Sequence, residues 1–160
     1  MVRVKIEAFF KLNYFYFFCF ILFFDLGSKF LISNYYLEPM TLLPILDLLL
    51  VKNSGIALSL FSDLGENGQI ILSVLIFIAL VFIYLEMTNS ENKNQKISLT
   101  LILGGGMGNF IERIFYGEVT DFFHLRLGDF SFFIFNFADF FITLGAFIFV
   151  YTLLVNTKST

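Results

Sequence analysis

The sequence has little of the chemistry on which many soluble enzymes and binding proteins rely. Its 160 residues include no tryptophan, two prolines, one histidine and one cysteine. The single Cys19 excludes an internal disulfide, and no cysteine or histidine cluster indicates a zinc or iron–sulfur site. Charged residues make up 14% of the chain, about half the usual share. A net charge of −3 also disfavours nucleic acid as a partner.

Apolar residues take the place of the missing polar ones. Hydrophobic residues account for 58% of the chain, 25 residues are phenylalanine, and the mean hydropathy is +0.85. A compact fold of this length has too little interior to bury so many apolar side chains. Lipid must therefore cover much of the surface, and the composition indicates an integral membrane protein.

Hydropathy divides the chain into four candidate membrane spans, at about residues 12–33, 70–85, 97–116 and 131–155. Each is close to the roughly 20 residues that cross a bilayer, and spans at that depth are expected to be helices. The first lacks a small-residue cleavage site after its apolar run, so we expect it to be retained as a helix. The four spans predict a single membrane domain over residues 1–160.

The charge distribution predicts the orientation of these spans. Under the four-span arrangement one side carries six basic and three acidic residues, while the other side and the polar insets carry four basic and ten acidic residues. The positive-inside rule then places both termini in the cytoplasm. The connections at about 34–69 and 117–130 face outward.

The two outer connections contain strand-like segments. Residues 46–51 (LDLLLV) are typical of a short strand, and apolar runs on either side of Gly128 and Asp129 predict a hairpin. The predicted fold is therefore an all-α integral membrane protein of four transmembrane helices with a small extracytoplasmic β-element.

Charged residues within membrane spans mark candidate functional sites. At about 1.5 Å per helical residue, Asp25 lies about 20 Å and Arg113 about 24 Å from the inner face. Asp139, in a helix that descends from outside, lies roughly 12 Å below the outer edge. Three different spans thus bring a charge to the outer half of the bilayer.

Each of these spans also places its polar residues on one face. Lys29 follows Asp25 by four residues, the spacing and order that favour an ion pair. Glycines 104–106 and Gly108 in the third span permit close packing of another helix. The third and fourth spans repeat the one-faced pattern with Asn109, Glu112, Arg113, Asn136 and Asp139.

Asp121 follows the third span directly and is flanked by apolar residues. If the chain folds back as a hairpin, Asp121 meets Asp139, and two carboxylates in an apolar pocket share one proton. Such a pair can activate water for attack on a peptide carbonyl. The residues alone leave a second possibility open, in which Asp139 pairs with Arg113 or Lys29 and Asp121 is a solvated loop residue.

Other functions remain possible at this level. Asp121, His124 and Asp139 resemble a sparse metal site, and Ser28, Ser54 and Ser131 are potential nucleophiles without a histidine in a suitable motif. A small proton- or ion-coupled transporter is the main alternative, since intramembrane acids suit a proton relay. A third possible function is that of a structural subunit, in which the polar groups only hold the four helices together.

Four segments, in order, resemble motifs of one family, the lipoprotein signal peptidases (signal peptidase II). Residues 25–29 (DLGSK) resemble its D-x-x-[ST]-K motif, and residues 52–57 (KNSGIA) its R-N-T-G-A-A-F segment. Residues 105–122 are similar to its G-G-x-x-G-N-x-x-D-R-x-x-x-G-x-V-x-D-F block, and residues 135–139 (FNFAD) match its F-N-x-A-D box. Together the motifs cover about residues 25–145.

The resemblance implies an aspartyl endopeptidase that removes signal peptides from diacylglyceryl-modified bacterial prolipoproteins, without a metal or other cofactor. The family's catalytic aspartates correspond to Asp121 and Asp139. We expect a monomer in the bacterial inner membrane, in contact with membrane lipid, with its site near the outer leaflet. Substrate-binding or supporting positions correspond to Asp25, Lys29, Asn53, Gly55, Asn109, Glu112, Arg113 and Asn136.

The chain departs from the family pattern at four of these motif positions. Glu112 stands where the family usually has aspartate, and Leu26 replaces a frequent glutamine. Ile56 and Leu58 replace the commoner alanine and phenylalanine after the Asn-x-Gly turn, which predicts a reshaped substrate groove. The two aspartates themselves are unchanged.

Overall fold

The computed structural model describes residues 2–35, 38–55 and 65–156 and contains helices and one small sheet. In chain order its elements are α1 (Val2–Tyr35), β1 (Met40–Leu43), β2 (Leu46–Asn53), α2 (Gly65–Asn89), α3 (Lys93–Tyr116), β3 (Val119–Leu127), β4 (Phe130–Phe135) and α4 (Phe137–Asn156). Ile56 and Leu58 lie outside the described residues.

Three of these helices are long and apolar enough to cross a membrane. The spans are Asn13–Tyr35, Gly68–Asn89 and Phe137–Val155, each close to the roughly 20 residues that a bilayer requires. Their exteriors are rich in exposed apolar side chains, such as Phe23, Phe82 and Phe147. α3, which carries more polar and glycine residues, is not among the three, so a crossing by all four helices stays a prediction.

α3 is the central helix, and its glycines explain how it contacts the other three. A Cβ at the first residue of the run 104–106 would lie 2.7 Å from Ile21 of α1, and at the second 2.5 Å from the carbonyl oxygen of Ala138 in α4. At the third it would lie 2.8 Å from Leu80 of α2. Each of three consecutive glycines therefore admits a different helix, which confirms the predicted role in close packing.

The chain leaves α3 through a glycine turn and enters the sheet. Gly117 has φ of 73°, a left-handed conformation that glycine adopts without strain, and its N–H donates to the Arg113 carbonyl. β3 begins two residues later, at Val119. The turn therefore carries Asp121 from the end of the central helix directly into a strand.

The four strands form one antiparallel sheet in the order β1-β2-β3-β4. The predicted strand over residues 46–51 lies within β2, and the predicted hairpin turns at Gly128, whose φ is 58°. β3 joins the two connections that are predicted to face outward, because it pairs with β2 on one side and β4 on the other. Both β-predictions are thus confirmed, and the sheet is larger than the sequence indicated.

The predicted start of the fourth span is wrong by six residues. Hydropathy predicts a start at about residue 131, whereas Phe130–Phe135 forms β4 and α4 begins at Phe137. Phe133 and Phe135 pair with β3, so the backbone groups of this apolar run are satisfied by a neighbouring strand rather than within a helix. Hydropathy measures only how apolar a run is, and strand and helix are alike in that respect.

Candidate active site

Asp121 and Asp139 come together around one asparagine. Asp121 lies in β3, and Asp139 lies in the first turn of α4. The side-chain amide of Asn136 donates to Asp121 Oδ1 at 2.6 Å, and its backbone N–H donates to Asp139 Oδ2 at 3.1 Å. One residue between β4 and α4 therefore holds an oxygen of each carboxylate.

The position of Asp139 follows from how α4 begins. Asn136 Oδ1 accepts a hydrogen bond from the Asp139 N–H at 3.0 Å, while Asp139 returns the bond to the Asn136 N–H. This reciprocal pattern is that of a capping box, in which two residues three apart satisfy each other's free N–H groups. The Asn-x-x-Asp spacing thus starts the helix and orients the carboxylate.

Two further asparagines complete the hydrogen bonding of the carboxylates. Asn53, at the end of β2, donates to Asp121 Oδ2 at 2.8 Å, and Asn109 of α3 donates to Asp139 Oδ1 at 2.9 Å. All four carboxylate oxygens therefore accept a hydrogen bond. Among the described residues Asp139 forms no ion pair, so the alternative pairing with Lys29 or Arg113 is not formed.

Beneath this pair lies a buried ionic group that we call the helix network: Asp25, Lys29 and Glu112. The Lys29 ammonium is 2.7 Å from Asp25 Oδ2 and 3.4 Å from Glu112 Oε2, which confirms the predicted pairing with Asp25. Its third contact is Asn109 Oδ1, at 2.6 Å. Because an ammonium can only donate, this contact turns the Asn109 oxygen toward Lys29 and its NH₂ group toward Asp139.

Asp25 also anchors α4 to α1. Its Oδ1 accepts a hydrogen bond from the Ala138 N–H at 2.8 Å, next to Asp139 in the chain. A Cβ at Gly108 of α3 would collide with Asp25 Oδ2, so this glycine makes room for the carboxylate. The motif in the first helix therefore acts on the site through packing and hydrogen bonds to α3 and α4.

Glu112 reaches the strand that carries Asp121. Its Oε2 accepts the Thr120 N–H at 2.8 Å, and its Oε1 accepts the Thr120 hydroxyl at 2.6 Å. Thr120 is fully buried and was not singled out from the sequence. The sequence does show a hydroxyl residue between Val119 and Asp121. Threonine is common in strands, however, so this observation alone does not indicate a role in the site.

Arg113 supports the opposite wall of the site. Its guanidinium Nη2 donates to the Gly55 carbonyl at 2.8 Å, and the Gly55 N–H donates to Asn53 Oδ1 at 3.0 Å. Gln69 of α2 donates to the Ser54 carbonyl in the same turn. The Asn-x-Gly turn is thus tied to α2 and α3, and it points the Asn53 amide at Asp121.

The carboxylates open into a cavity of about 720 Å³. One part of its lining is polar, with Asn53, Asn109, Arg113, Asp121 and Asp139. The rest is largely apolar and comes from α2, β4 and α4, including Ile76, Phe133, Phe135, Phe140 and Ile142. The cavity therefore presents two carboxylates and an apolar wall to the same occupant.

Burial raises the pKa of Asp121 to about 6. Hydrogen bonds from Asn53 and Asn136 oppose this rise because they favour the ionised carboxylate, whereas the negative charge of Asp139 adds to it. Asp121 therefore releases its proton at a higher pH than an ordinary aspartate does. A carboxylate pair of this kind can exchange a proton with a bound water, which is what general acid–base chemistry requires.

A second polar group, which we call the sheet cluster, consists of Asp47, His124 and Arg126. His124 Nε2 is 2.7 Å from Ser131 Oγ, a contact that the sequence did not predict, and its Nδ1 is 3.6 Å from Asp47 Oδ2. Asp47 itself is bound by Arg126. Since side chains three apart on a strand face opposite sides, the metal site considered for Asp121, His124 and Asp139 is not formed.

Comparison with known proteins connects this site to a family. A family model described as signal peptidase (SPase) II matches residues 17–155. The lipoprotein signal peptidase of Pelagibacter ubique is 43% identical over 121 residues, covering 73% of this chain and 70% of that protein. That of Mesorhizobium japonicum is 38% identical over 121 residues, covering 76% and 71%.

Solved structures show the same architecture. A bacterial membrane enzyme determined at 2.3 Å is 27% identical, with a TM-score of 0.74, and the match covers 92% of this chain and 91% of that one. A second, determined at 1.9 Å, is 26% identical with a TM-score of 0.70, covering 89% and 92%. The described part of this chain has three helices long and apolar enough to cross a membrane, and its structural neighbours are membrane enzymes, so this chain is an integral membrane protein. It belongs to the signal peptidase II family of proteases.

Proposed function

We propose that this chain is an aspartyl endopeptidase that removes signal peptides from diacylglyceryl-modified prolipoproteins, with Asp121 and Asp139 as its catalytic pair. The observation that carries the proposal is the bridge by Asn136, which holds one oxygen of each carboxylate at the wall of a single cavity. Family membership supplies the substrate class, since the relatives are named lipoprotein signal peptidases.

The charges around the pair favour one shared proton. With both aspartates ionised, the site and the groups beneath it carry four negative and two positive side chains. One proton on the pair lowers the excess negative charge from two to one, which reduces the cost of keeping charge away from water. The side chains in this count are Asp25, Lys29, Glu112, Arg113, Asp121 and Asp139.

The proposed reaction uses this arrangement in two steps. The ionised aspartate takes a proton from water, and the oxygen of that water forms a bond to the scissile carbonyl carbon. The protonated aspartate donates its proton to the carbonyl oxygen at the same time. In the second step the nitrogen takes a proton from the pair, and the C–N bond breaks with its electron pair going to the nitrogen. One hydroxyl of the tetrahedral intermediate returns its proton to the pair as the carboxyl group forms, so the products leave and the pair again holds one proton.

The remaining predicted site residues have supporting roles in this proposal. Asn53, Asn109 and Asn136 hold the carboxylates, and the helix network fixes Asn109 and the start of α4. Arg113 and Gly55 line the cavity, where they can hydrogen-bond the substrate backbone. The apolar wall with Phe133 and Phe140 suits the acyl chains of a diacylglyceryl group.

We also propose how the chain sits in its membrane. α3 has 24 residues, about 36 Å of helix, which is enough to cross together with the other three. The termini then lie in the cytoplasm of a bacterium, and the sheet and site lie at the outer leaflet of the inner membrane. We propose a monomer as the working unit.

A gel-shift cleavage assay tests the proposal. Purified protein in detergent is mixed with a diacylglyceryl-modified prolipoprotein, with and without a metal chelator. We expect wild type to cleave in both conditions, because the proposed chemistry uses only two carboxylates and water. Asp121→Asn and Asp139→Asn should each lower the rate by about 10²–10⁴-fold, the share that a general acid or base supplies.

Asp47→Asn is the matched control, since it makes the same change in the sheet cluster and should cleave like wild type. Two outcomes would count against the proposal. One is cleavage by a folded Asp121→Asn or Asp139→Asn variant at the wild-type rate. The other is a folded wild-type protein that leaves the lipidated substrate intact.

A further inference from the structure

Thr120 precedes Asp121 in β3 and makes several hydrogen bonds next to the proposed catalytic pair. Its N–H and its hydroxyl both donate to the carboxylate of Glu112, and its carbonyl accepts the Asn136 amide at 3.3 Å. Its hydroxyl also accepts a hydrogen bond from the Lys52 ammonium at 2.8 Å. Every polar atom of this one residue is therefore bonded to a side chain.

These bonds join three parts of the molecule at the residue before Asp121. Glu112 belongs to α3, Lys52 to β2, and Asn136 to the start of α4. Thr120 and Lys52 are also direct partners in the pairing of β2 with β3. Fixing the backbone at residue 120 fixes where the next side chain, Asp121, leaves the strand.

The contact with Thr120 gives a structural reason for the glutamate at residue 112, where the family motif usually has aspartate. A glutamate carries one more methylene than the aspartate that is usual in the family motif. Both of its oxygens are used on Thr120, and Oε2 also faces Lys29 at 3.4 Å. The hydroxyl at residue 120 and the longer acid at residue 112 therefore form a matched pair in this chain.

We propose that Thr120 is a positioning residue for Asp121, and that Lys52 acts on the site through the Thr120 hydroxyl. The inference rests on the proposed function, because it assigns a role relative to the catalytic aspartate. Thr120 is fully buried and does not line the cavity. It can therefore affect the placement of Asp121 without contacting substrate.

The first test replaces the hydroxyl while keeping the size of the side chain. Thr120→Val should lower kcat about 10- to 100-fold, because small misplacements of a reacting group have effects of that size, and should leave KM nearly unchanged. Thr120→Ser restores the hydroxyl and should recover kcat. Thr100→Val is the matched control: Thr100 is equally buried in α3, but its hydroxyl bonds to the Lys96 carbonyl, away from the site.

The second test asks whether Lys52 works through Thr120. Lys52 is exposed, so Lys52→Met should fold even if Thr120→Val does not. Alone, Lys52→Met should also lower kcat, but by a smaller factor than Thr120→Val does. In the Thr120→Val background it should have no further effect, because residues that act through one contact are not additive.

The outcomes separate this inference from the proposed function. If Asp121→Asn is inactive while folded Thr120→Val keeps the wild-type kcat, the role of Thr120 is wrong and the catalytic pair stands. Equal loss in Thr120→Val and Thr120→Ser, or additive effects of Lys52→Met and Thr120→Val, also overturns the inference. If Asp121→Asn remains active, the proposed function itself fails.

Discussion

The helix network and the sheet cluster use the same residue types in opposite surroundings. In the network, the side chains of Lys29 and Asp25 are 2% and 0% exposed. In the cluster, those of Arg126 and Asp47 are 29% and 18% exposed. Both contain a short cation–carboxylate contact, so the two groups differ in their exposure to solvent and not in the kind of contact they make.

The two groups therefore have different structural roles. Arg126 and Thr41 bond to Asp47 and link β1 to β3 across β2, and the hydrogen bond from Arg126 lowers the pKa of Asp47 below its usual value. The helix network instead bonds to Asn109 and to the start of α4, which both hold Asp139. Removing one partner of a buried ion pair leaves the other charge without solvation, which costs stability. Removing one partner of an exposed ion pair costs little, because water and salt ions solvate the charge that remains.

The largest expected effect comes from removing the cation of the helix network. Lys29→Met leaves the carboxylates of Asp25 and Glu112 buried without a positive partner. Breaking a buried ion pair in this way costs about 3–5 kcal/mol, so unfolding in detergent micelles should shift to clearly lower denaturant concentration.

Arg126→Met makes the same kind of change in the sheet cluster and serves as the control. We expect no comparable loss of stability, because water can solvate Asp47. Equal losses in the two variants would show that exposure does not distinguish the groups.

A smaller effect is expected from filling the contact between α3 and α4. In Gly105→Ala the new methyl group would lie 2.5 Å from the Ala138 carbonyl oxygen, and backbone cannot move aside as a flexible side chain does. Overpacking of this kind costs about 1–3 kcal/mol. The thermal unfolding midpoint should fall, together with activity, since α4 carries Asp139.

Gly27→Ala in α1 is the matched control, because among the described residues no atom beyond the adjacent residues and backbone of its own helix lies within 4 Å of the new Cβ. Its midpoint should equal or slightly exceed that of wild type. A Gly105→Ala protein as stable as Gly27→Ala would contradict the close approach of α3 and α4.

The smallest effect concerns the pH dependence of cleavage. With the pKa of Asp121 at about 6, one limb of a bell-shaped pH–rate profile should lie near that value. The hydrogen bond from Asn53 favours the ionised form, so Asn53→Ala should raise the pKa and move that limb to higher pH. The measurement is kcat/KM across the range from acid to neutral pH.

Asn94→Ala is the control for this shift, because Asn94 lies in the first turn of α3, remote from the pair. Its profile should match wild type. A limb that stays in place in Asn53→Ala, or moves to lower pH, would contradict the role assigned to this hydrogen bond.

Some parts of the site could be predicted because they depend on spacing within one element. Asp25 and Lys29 pair across one helical turn, and this follows from local geometry, which is the same wherever the helix lies. The spacing of Asn136 and Asp139 predicted one face of a helix, whereas Asn136 lies before α4 and caps it together with Asp139. The hairpin at Gly128 was predictable for a similar reason, since a glycine between two apolar runs favours a turn.

Other parts depended on partners far away in the chain. The strand Phe130–Phe135 is as apolar as a membrane helix, and only its pairing with β3 distinguishes it. Thr120 has ordinary neighbours in sequence, and its importance arises from Glu112 in α3 and Lys52 in β2. Asn136 was expected in the site, but its bridge between the carboxylates appears only when β3 and α4 are adjacent.

The sequence by itself determined that the chain lies in a membrane, which residues are polar within apolar runs, and the motifs by which its family is known. These are properties of composition and short-range order. The tertiary structure decided that glycines 104–106 admit three helices at once, that Asp47 stays partly exposed while Lys29 is buried, and that Asn136 joins Asp121 to Asp139. The physical reason is that hydrogen bonds and burial depend on which distant groups become neighbours. Only the close packing of the whole chain determines which groups those are.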